Sequence, residues 1–201
     1  MRPRALLAEL MGTFALTFAV IVTVNNPDFP IPTPVLAPLT LGLFVYLIGP
    51  VSGCHINPAI TIGVAAIGRI GLQEAGAYIV AQFAGAGLAL AVGNVFFPMA
   101  AELTVSGAAN IGFAELFGAA LLAFSVTAVV IGRVPGNLSG LVIGTGLMVG
   151  IGYAAHASNG VLNPAVALGI GSFGHTYIWG PIGGALVGAL LGNFLLDPDD
   201  A

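Results

Sequence analysis

The tripeptide Asn-Pro-Ala occurs twice, as Asn57-Pro58-Ala59 and Asn163-Pro164-Ala165, 106 positions apart, and the same offset carries Ala8-Glu9-Leu10 onto Ala114-Glu115-Leu116. The chain reads as an internal duplication. Each half opens on an apolar run holding one glutamate and later presents the tripeptide, so the two tripeptides are expected to be corresponding parts of one shared site. The expected organisation is a single domain over 1–201, with one repeat at 5–97 and the other at 111–196.

Hydropathy says where such a unit can live. Apolar residues make up 58% of the chain and charged residues 6%, lysine is absent, and the mean hydropathy is +1.05. That leaves too little polar surface to face water, which excludes a tandem of soluble domains. A membrane-crossing helix needs roughly 20 mostly apolar residues, and the runs 5–24, 34–50, 73–97, 111–131, 137–155 and 176–196 meet that need. Two shorter apolar pieces, 58–68 and 164–173, each follow an Asn-Pro-Ala and are too short to cross. They have the form of re-entrant half-helices. The expected fold is an all-α polytopic membrane protein of six transmembrane helices plus two half-helices. Arg2 and Arg4 precede the first run as in a signal peptide, but the run outlasts an h-region and contains Glu9, so it is expected to stay as the first helix. Cys54 is the sole cysteine and has no partner for an internal disulfide.

The four arginines set an orientation. With the N-terminus in the cytoplasm and six crossings, Arg2, Arg4, Arg69 and Arg133 all fall inside, both termini are cytoplasmic, and Asp28 and Glu102 fall in outer connections. A multi-pass protein of the cell membrane is the expected setting. Three helices separate the halves, so the second copy enters from the opposite face, giving an inverted 3+3 repeat about an axis in the membrane plane.

Each tripeptide carries the chemistry of a helix start. Asparagine is a favoured N-cap, proline fits the first helical position because its missing N–H would have no intrahelical partner, and alanine propagates the turn. Half-helices meeting near the midplane would bring their positive ends together, with each asparagine amide still able to offer an N–H to a passing solute. Such a site suits a neutral solute and repels cations. Glu9 and Glu115 are the only acids well inside the apolar runs. An intramembrane carboxylate needs partners, and the non-helical stretches 51–56 and 156–162 need acceptors for their N–H groups. A loop clamp in each half is the leading reading and a proton relay its functional rival. His55, two residues before Asn57, is read as loop support or as a gating group; His156 stands at the second loop and His175 at the start of the last helix. Cys54 is read as a buried thiol or a pore contact. Small-residue stripes at Gly180, Gly184, Gly188 and Gly192, at Ala81, Gly85, Ala89 and Gly93, and at Gly140 and Gly144 predict close helix packing. The Pro-rich stretch 25–34 is read as a surface spacer and 197–200 as a solvated acidic end.

With these residues assembled, the chain resembles the aquaporin and glycerol-facilitator superfamily, the major intrinsic proteins. The resemblance covers nearly the whole chain and rests on Glu9, Glu115, the run Ser52-Gly53-Cys54-His55-Ile56-Asn57-Pro58-Ala59-Ile60-Thr61 and the second Asn163-Pro164-Ala165. It implies a homotetramer with a pore in each subunit, conducting water or small uncharged solutes passively and without a cofactor. In most members an arginine lining a narrow outer filter follows the second tripeptide; here that position is Val166. Counting from the asparagines, the remaining filter positions fall at Ala37, Ile151 and Gly160, and none is aromatic. A glycerol-type member is also expected to carry aspartate after the arginine, where Ala167 stands. The expected filter is apolar and its selectivity atypical.

Two functional readings remain open at this level: a passive channel with Asn57 and Asn163 orienting the solute, and a poorly conducting structural membrane protein of the same fold. An enzyme is not expected, because no Ser–His pair, paired aspartates or metal-ligand spacing recurs on facing helices. Nor is a nucleic-acid partner, with a pI near 5 and no basic patch.

Overall fold

A computed structural model describes residues 2–26, 28–97, 103 and 107–197. Glu102, one of the two acids assigned to outer connections, and residues 198–200 of the acidic end lie outside the described residues. The chain order is α1 (Pro3–Val24), α2 (Thr33–Ser52), α3 (Pro58–Ala66), α4 (Leu72–Phe96), α5 (Ala109–Val130), α6 (Ser139–Ala154, after a 3-10 turn at Gly136–Leu138), α7 (Pro164–Gly169) and α8 (Thr176–Leu196). No strand occurs among the described residues. Six of these elements are long and apolar enough to cross a membrane. α3 and α7 are the short pieces behind the tripeptides.

Hydropathy alone placed several boundaries wrongly. The second half-helix stops at Gly169, not 173: Ile170 takes a non-helical ψ and Gly171 sits at φ 75°, a left-handed turn that favours glycine. The first stops at Ala66, before Gly68 at φ 73°. Val51 and Ser52 belong to α2, and the non-helical backbone starts only at Gly53, φ 88°. Thr33 and Pro34 are already α2, with proline in its first turn, so the spacer ends at Pro32.

α1 packs chiefly on α4, and α5 on α8, with α2 against α6 between the two halves. The glycine stripes lie in these seams. A Cβ at Gly184 or Gly188 would run into the carbonyl oxygen of Leu116 or Ala120 on α5, and one at Gly42 would come 2.7 Å from the Gly140 carbonyl of α6. Lipid offers helices no hydrophobic drive to associate, so backbone-to-backbone approach of this kind supplies the dispersion contacts that hold the seams. The outward faces carry bare leucines and phenylalanines, among them Leu39, Leu43, Leu47, Phe113 and Phe117.

Arginines gather at one end of the bundle. Arg69 reaches Asp197 at 3.4 Å, Arg133 donates to the Leu196 carbonyl at the end of α8, and Arg2 and Arg69 line one cleft. This end is called the arginine face below.

Candidate pore site between two half-helices

The two tripeptides build matching helix starts. Asn57 caps α3 with its Oδ1 accepting from the Ala59 N–H at 2.9 Å, and Asn163 caps α7 by accepting from Ala165 at 3.0 Å and Val166 at 3.3 Å. Pro58 and Pro164 take the first helical positions. The remaining amide function crosses the site. Asn57 Nδ2 donates to the Leu162 carbonyl at 2.9 Å, and Asn163 Nδ2 donates to the Ile56 carbonyl at 3.0 Å. Each cap therefore fastens the backbone just ahead of the other. An amide nitrogen carries two hydrogens, so one on each asparagine remains beyond this crossed pair.

Ile56 and Leu162, which receive those bonds, have φ of 38° and 56°. Bulky side chains avoid this left-handed region, and holding one there costs about 1–3 kcal/mol. The glutamates offset it. Glu115 Oε2 accepts from the Leu162 N–H at 2.6 Å, while its Oε1 accepts from Val161 N–H at 3.0 Å and Ser158 Oγ at 2.7 Å. Glu9 does the same in the first half: Oε2 accepts from Ile56 N–H at 2.6 Å, and Oε1 from His55 N–H at 2.9 Å and Ser52 Oγ at 2.6 Å. Both carboxylates are fully buried. In each half the strained residue gives its N–H to the glutamate and its carbonyl to the opposite asparagine.

A cavity of about 150 Å³ runs through this arrangement, and its lining includes Asn57, Asn163, Ala37, Ile151, Gly160 and Val166. His55 and Cys54 line it as well. The four positions assigned to a filter thus lie around one lumen, with no charged side chain among them. Pro58, Ala59, Pro164 and Ala165 are buried and stand behind the asparagines rather than on the cavity. His55 also lines a second cleft, about 370 Å³ on the arginine face, so this residue borders both spaces. His156 is exposed and lies on an outward groove with Phe113 and Tyr153, away from the lumen, while His175 is exposed at the start of α8.

Several groups escaped the reading of the sequence. Ser52 and Ser158 repeat at the spacing of the tripeptides, a signal that was there to be used. Tyr78 donates to the Ser52 carbonyl at 3.0 Å, and Tyr177 accepts from the Asn159 N–H at 3.1 Å. Gln82, fully buried on α4, donates to Glu9 Oε2 at 2.8 Å and to Thr61 Oγ1 at 2.9 Å. Thr33, read as part of a spacer, lines the lumen.

Residues 2–196 match the family model described as Major intrinsic protein. The chain belongs to the major intrinsic protein family. Among its relatives, the probable aquaporin NIP7-1 of Arabidopsis thaliana is 32% identical over 205 residues, spanning 93% of this chain and 74% of that protein. Aquaporin NIP1-4 of Oryza sativa subsp. japonica is 33% identical over 201 residues, spanning 92% and 74%. The X-ray structure of the aquaglyceroporin from Plasmodium falciparum superposes with a TM-score of 0.74 at 22% identity, covering 98% of this chain and 96% of that one, and so shares the fold. As a family member with six apolar crossings, the protein is a multi-pass membrane channel for water or small solutes and not an enzyme.

Proposed function

We propose that the channel is passive and that its solutes pass the two crossed asparagines, with Ala37, Ile151, Gly160 and Val166 setting the width of the filter. The observation that carries this reading is the single lumen lined at once by both asparagines and by all four of those positions. At the crossing, two capped helix starts point their positive ends inward, which disfavours cations. At the filter, Val166 supplies neither the charge nor the donors of a guanidinium. Small uncharged solutes such as glycerol or urea then meet a wall of small apolar groups, and the filter admits them beside water. Glu9, Glu115 and His55 support the loops, because both carboxylates are occupied by the N–H groups and serine hydroxyls of the non-helical backbone.

The arginine face is cytoplasmic in this reading, with both termini on that side of the cell membrane, as the positive-inside bias requires. The single domain is built of two repeats, and the bare apolar outer walls suit lipid and three further copies in a homotetramer. Stopped-flow light scattering on proteoliposomes tests the central claim. Water, glycerol and urea permeabilities above those of empty vesicles, lost in an Asn57→Asp, Asn163→Asp variant, are expected. Water flow with glycerol and urea excluded would refute the wide filter. No flux of any of the three would favour a structural protein of the same fold.

A further inference from the structure

Asn159-Gly160 is the only Asn-Gly pair in the chain, and both residues line the lumen that Val166 also lines. In such a pair the glycine nitrogen has no Cβ beside it to shield it, so it can close on the asparagine Cγ and expel ammonia. The fold requires the glycine: φ at Gly160 is 63°, and a Cβ there would press to 3.3 Å from Ile151 Cγ2. Asn159 is exposed, so water reaches its side chain.

The nitrogen that must attack is already bonded to a route for its proton. Gly160 N–H donates to Ser158 Oγ at 3.0 Å. Ser158 has one hydrogen to give, and of its two acceptors Glu115 Oε1 is the nearer and the charged one, at 2.7 Å against 3.1 Å for the Ala154 carbonyl. A hydrogen-bonded chain thus runs from the Gly160 nitrogen through a hydroxyl to a carboxylate. Beyond the reacting carbon, Asn159 Nδ2 donates to Ser172 Oγ at 2.9 Å, and the Asn159 N–H donates to the Tyr177 hydroxyl at 3.1 Å. The first half builds the same chain, from Cys54 N–H to Ser52 Oγ at 3.1 Å and on to Glu9 Oε1 at 2.6 Å. Gly53 stands there in the place of Asn159 and offers no side-chain amide.

We propose that Asn159 is a self-modifying site, deamidated through the attack of its own neighbour Gly160, and that the reaction turns an uncharged filter into an anionic one. The Gly160 nitrogen bonds to Asn159 Cγ while its proton passes to Ser158 Oγ and the hydroxyl proton of Ser158 passes to Glu115. The Cγ–Nδ2 bond then breaks, and the nitrogen leaves as ammonia with the proton that Glu115 took up, handed over by solvent water. A second water opens the resulting imide at either of its carbonyls, which gives aspartate or isoaspartate at 159. In sum, water is consumed, ammonia is released and nothing is oxidised or reduced.

Ser158 touches the reacting nitrogen and is the catalytic residue of this step, and Glu115 acts through it. The consequence for selectivity rests on the channel reading above, whereas the reaction does not. A carboxylate beside Gly160 and Val166 favours cations over small anions at a filter whose four positions held no charge.

The test holds the full chain, in proteoliposomes, in oxygen-18 water and maps its peptides by mass spectrometry, with a methyltransferase specific for isoaspartate reading the isomer. Besides Glu115, the titratable groups around this loop are Tyr177 and the exposed His156 and His175, and a His156→Gln, His175→Gln background keeps the histidines out of the pH profile. Residue 159 is expected to take up oxygen-18 and to appear partly as isoaspartate, at a rate that stays flat through neutral and mildly alkaline pH. The same chain in denaturant, without the Ser158 contact, is expected to react about tenfold faster for each pH unit, in step with hydroxide. In vesicles, Ser158→Ala should slow the reaction at neutral pH by about a hundred-fold, the lower end of what a positioned base supplies, and take on the hydroxide slope, while Ser158→Thr keeps the flat profile. An unlabelled residue 159 in the folded parent, a hydroxide slope in the parent, or a rate that is unchanged or faster in Ser158→Ala overturns the proposal. Absence of water and urea flux in the parent overturns the channel reading and leaves the reaction at Asn159 standing.

Discussion

Glu9→Gln turns one of the two accepting oxygens of a buried carboxylate into a donor, losing both of that oxygen's acceptor positions, and leaves the side chain's shape intact. If the new NH2 group takes the Oε2 place, Gln82 can turn its amide, whose Oε1 is buried and unpaired, to receive it. The Ile56 N–H, now 2.6 Å from a donor, cannot be repaired that way. With the amide reversed, Ser52 can rotate its hydroxyl but the His55 N–H is orphaned. Either orientation leaves one buried backbone N–H unsatisfied, which costs roughly 1–3 kcal/mol. A cost of about 2 kcal/mol raises the open population of the 53–57 loop by about 30-fold. Cys54 reports that opening. It is the sole cysteine, 5% exposed, in the middle of the loop. A bulky maleimide does not fit the lumen, so its labelling rate follows local opening. The expected result is about 30-fold faster labelling in Glu9→Gln, with Glu115→Gln, which loosens the other loop, changing it only to the extent that the Asn57–Leu162 bond couples them. Equal acceleration in both variants, or none in Glu9→Gln, would refute the reasoning that each carboxylate clamps its own loop.

Val166→Arg restores a cation at the filter; glycerol and urea entry should fall at least about tenfold, a barrier of some 1.4 kcal/mol, while water flow persists in stopped-flow traces. Gly188→Leu drives a side chain into the Ala120 backbone of α5, and size-exclusion chromatography in mild detergent should show loss of the monodisperse peak. By contrast, Arg69→Ala removes a half-exposed ion pair of about 0–1 kcal/mol and should leave both the thermal transition and the water permeability near the parent values.

The site was legible where chemistry is local and repeated. Asn-Pro-Ala announces a cap, a first turn and a helix in three residues, and two copies in register reveal the inverted arrangement and the pairing with Glu9 and Glu115. Gln82 was not legible, because in a bilayer nearly every position of a helix is apolar and no periodicity separates the face that meets Glu9 from the face that meets lipid. Thr61 hid for a related reason: its hydroxyl serves a histidine six residues earlier, at an angle only the left-handed turns at Cys54 and Ile56 create. The end of α7 was missed because hydropathy does not register a backbone turn at Gly171. Counting back from the asparagines leads to Ala37, Ile151, Gly160 and Val166, and those four residues line one cavity, on which the proposal of a filter rests.

The crossed asparagine bonds also order events in the making of the protein. Asn57 takes its partner from residue 162, and Ile56 takes its own from residue 163. More than a hundred residues separate each pair, among the most non-local contacts the chain makes, and contacts of that kind form late. While the first half is already threaded into the bilayer, its re-entrant loop waits with the Ile56 carbonyl unanswered. Only when the second half-helix has entered from the far side do both latches close, in one step. A fragment ending before residue 162 therefore holds a complete set of first-half helices and an unfinished lip.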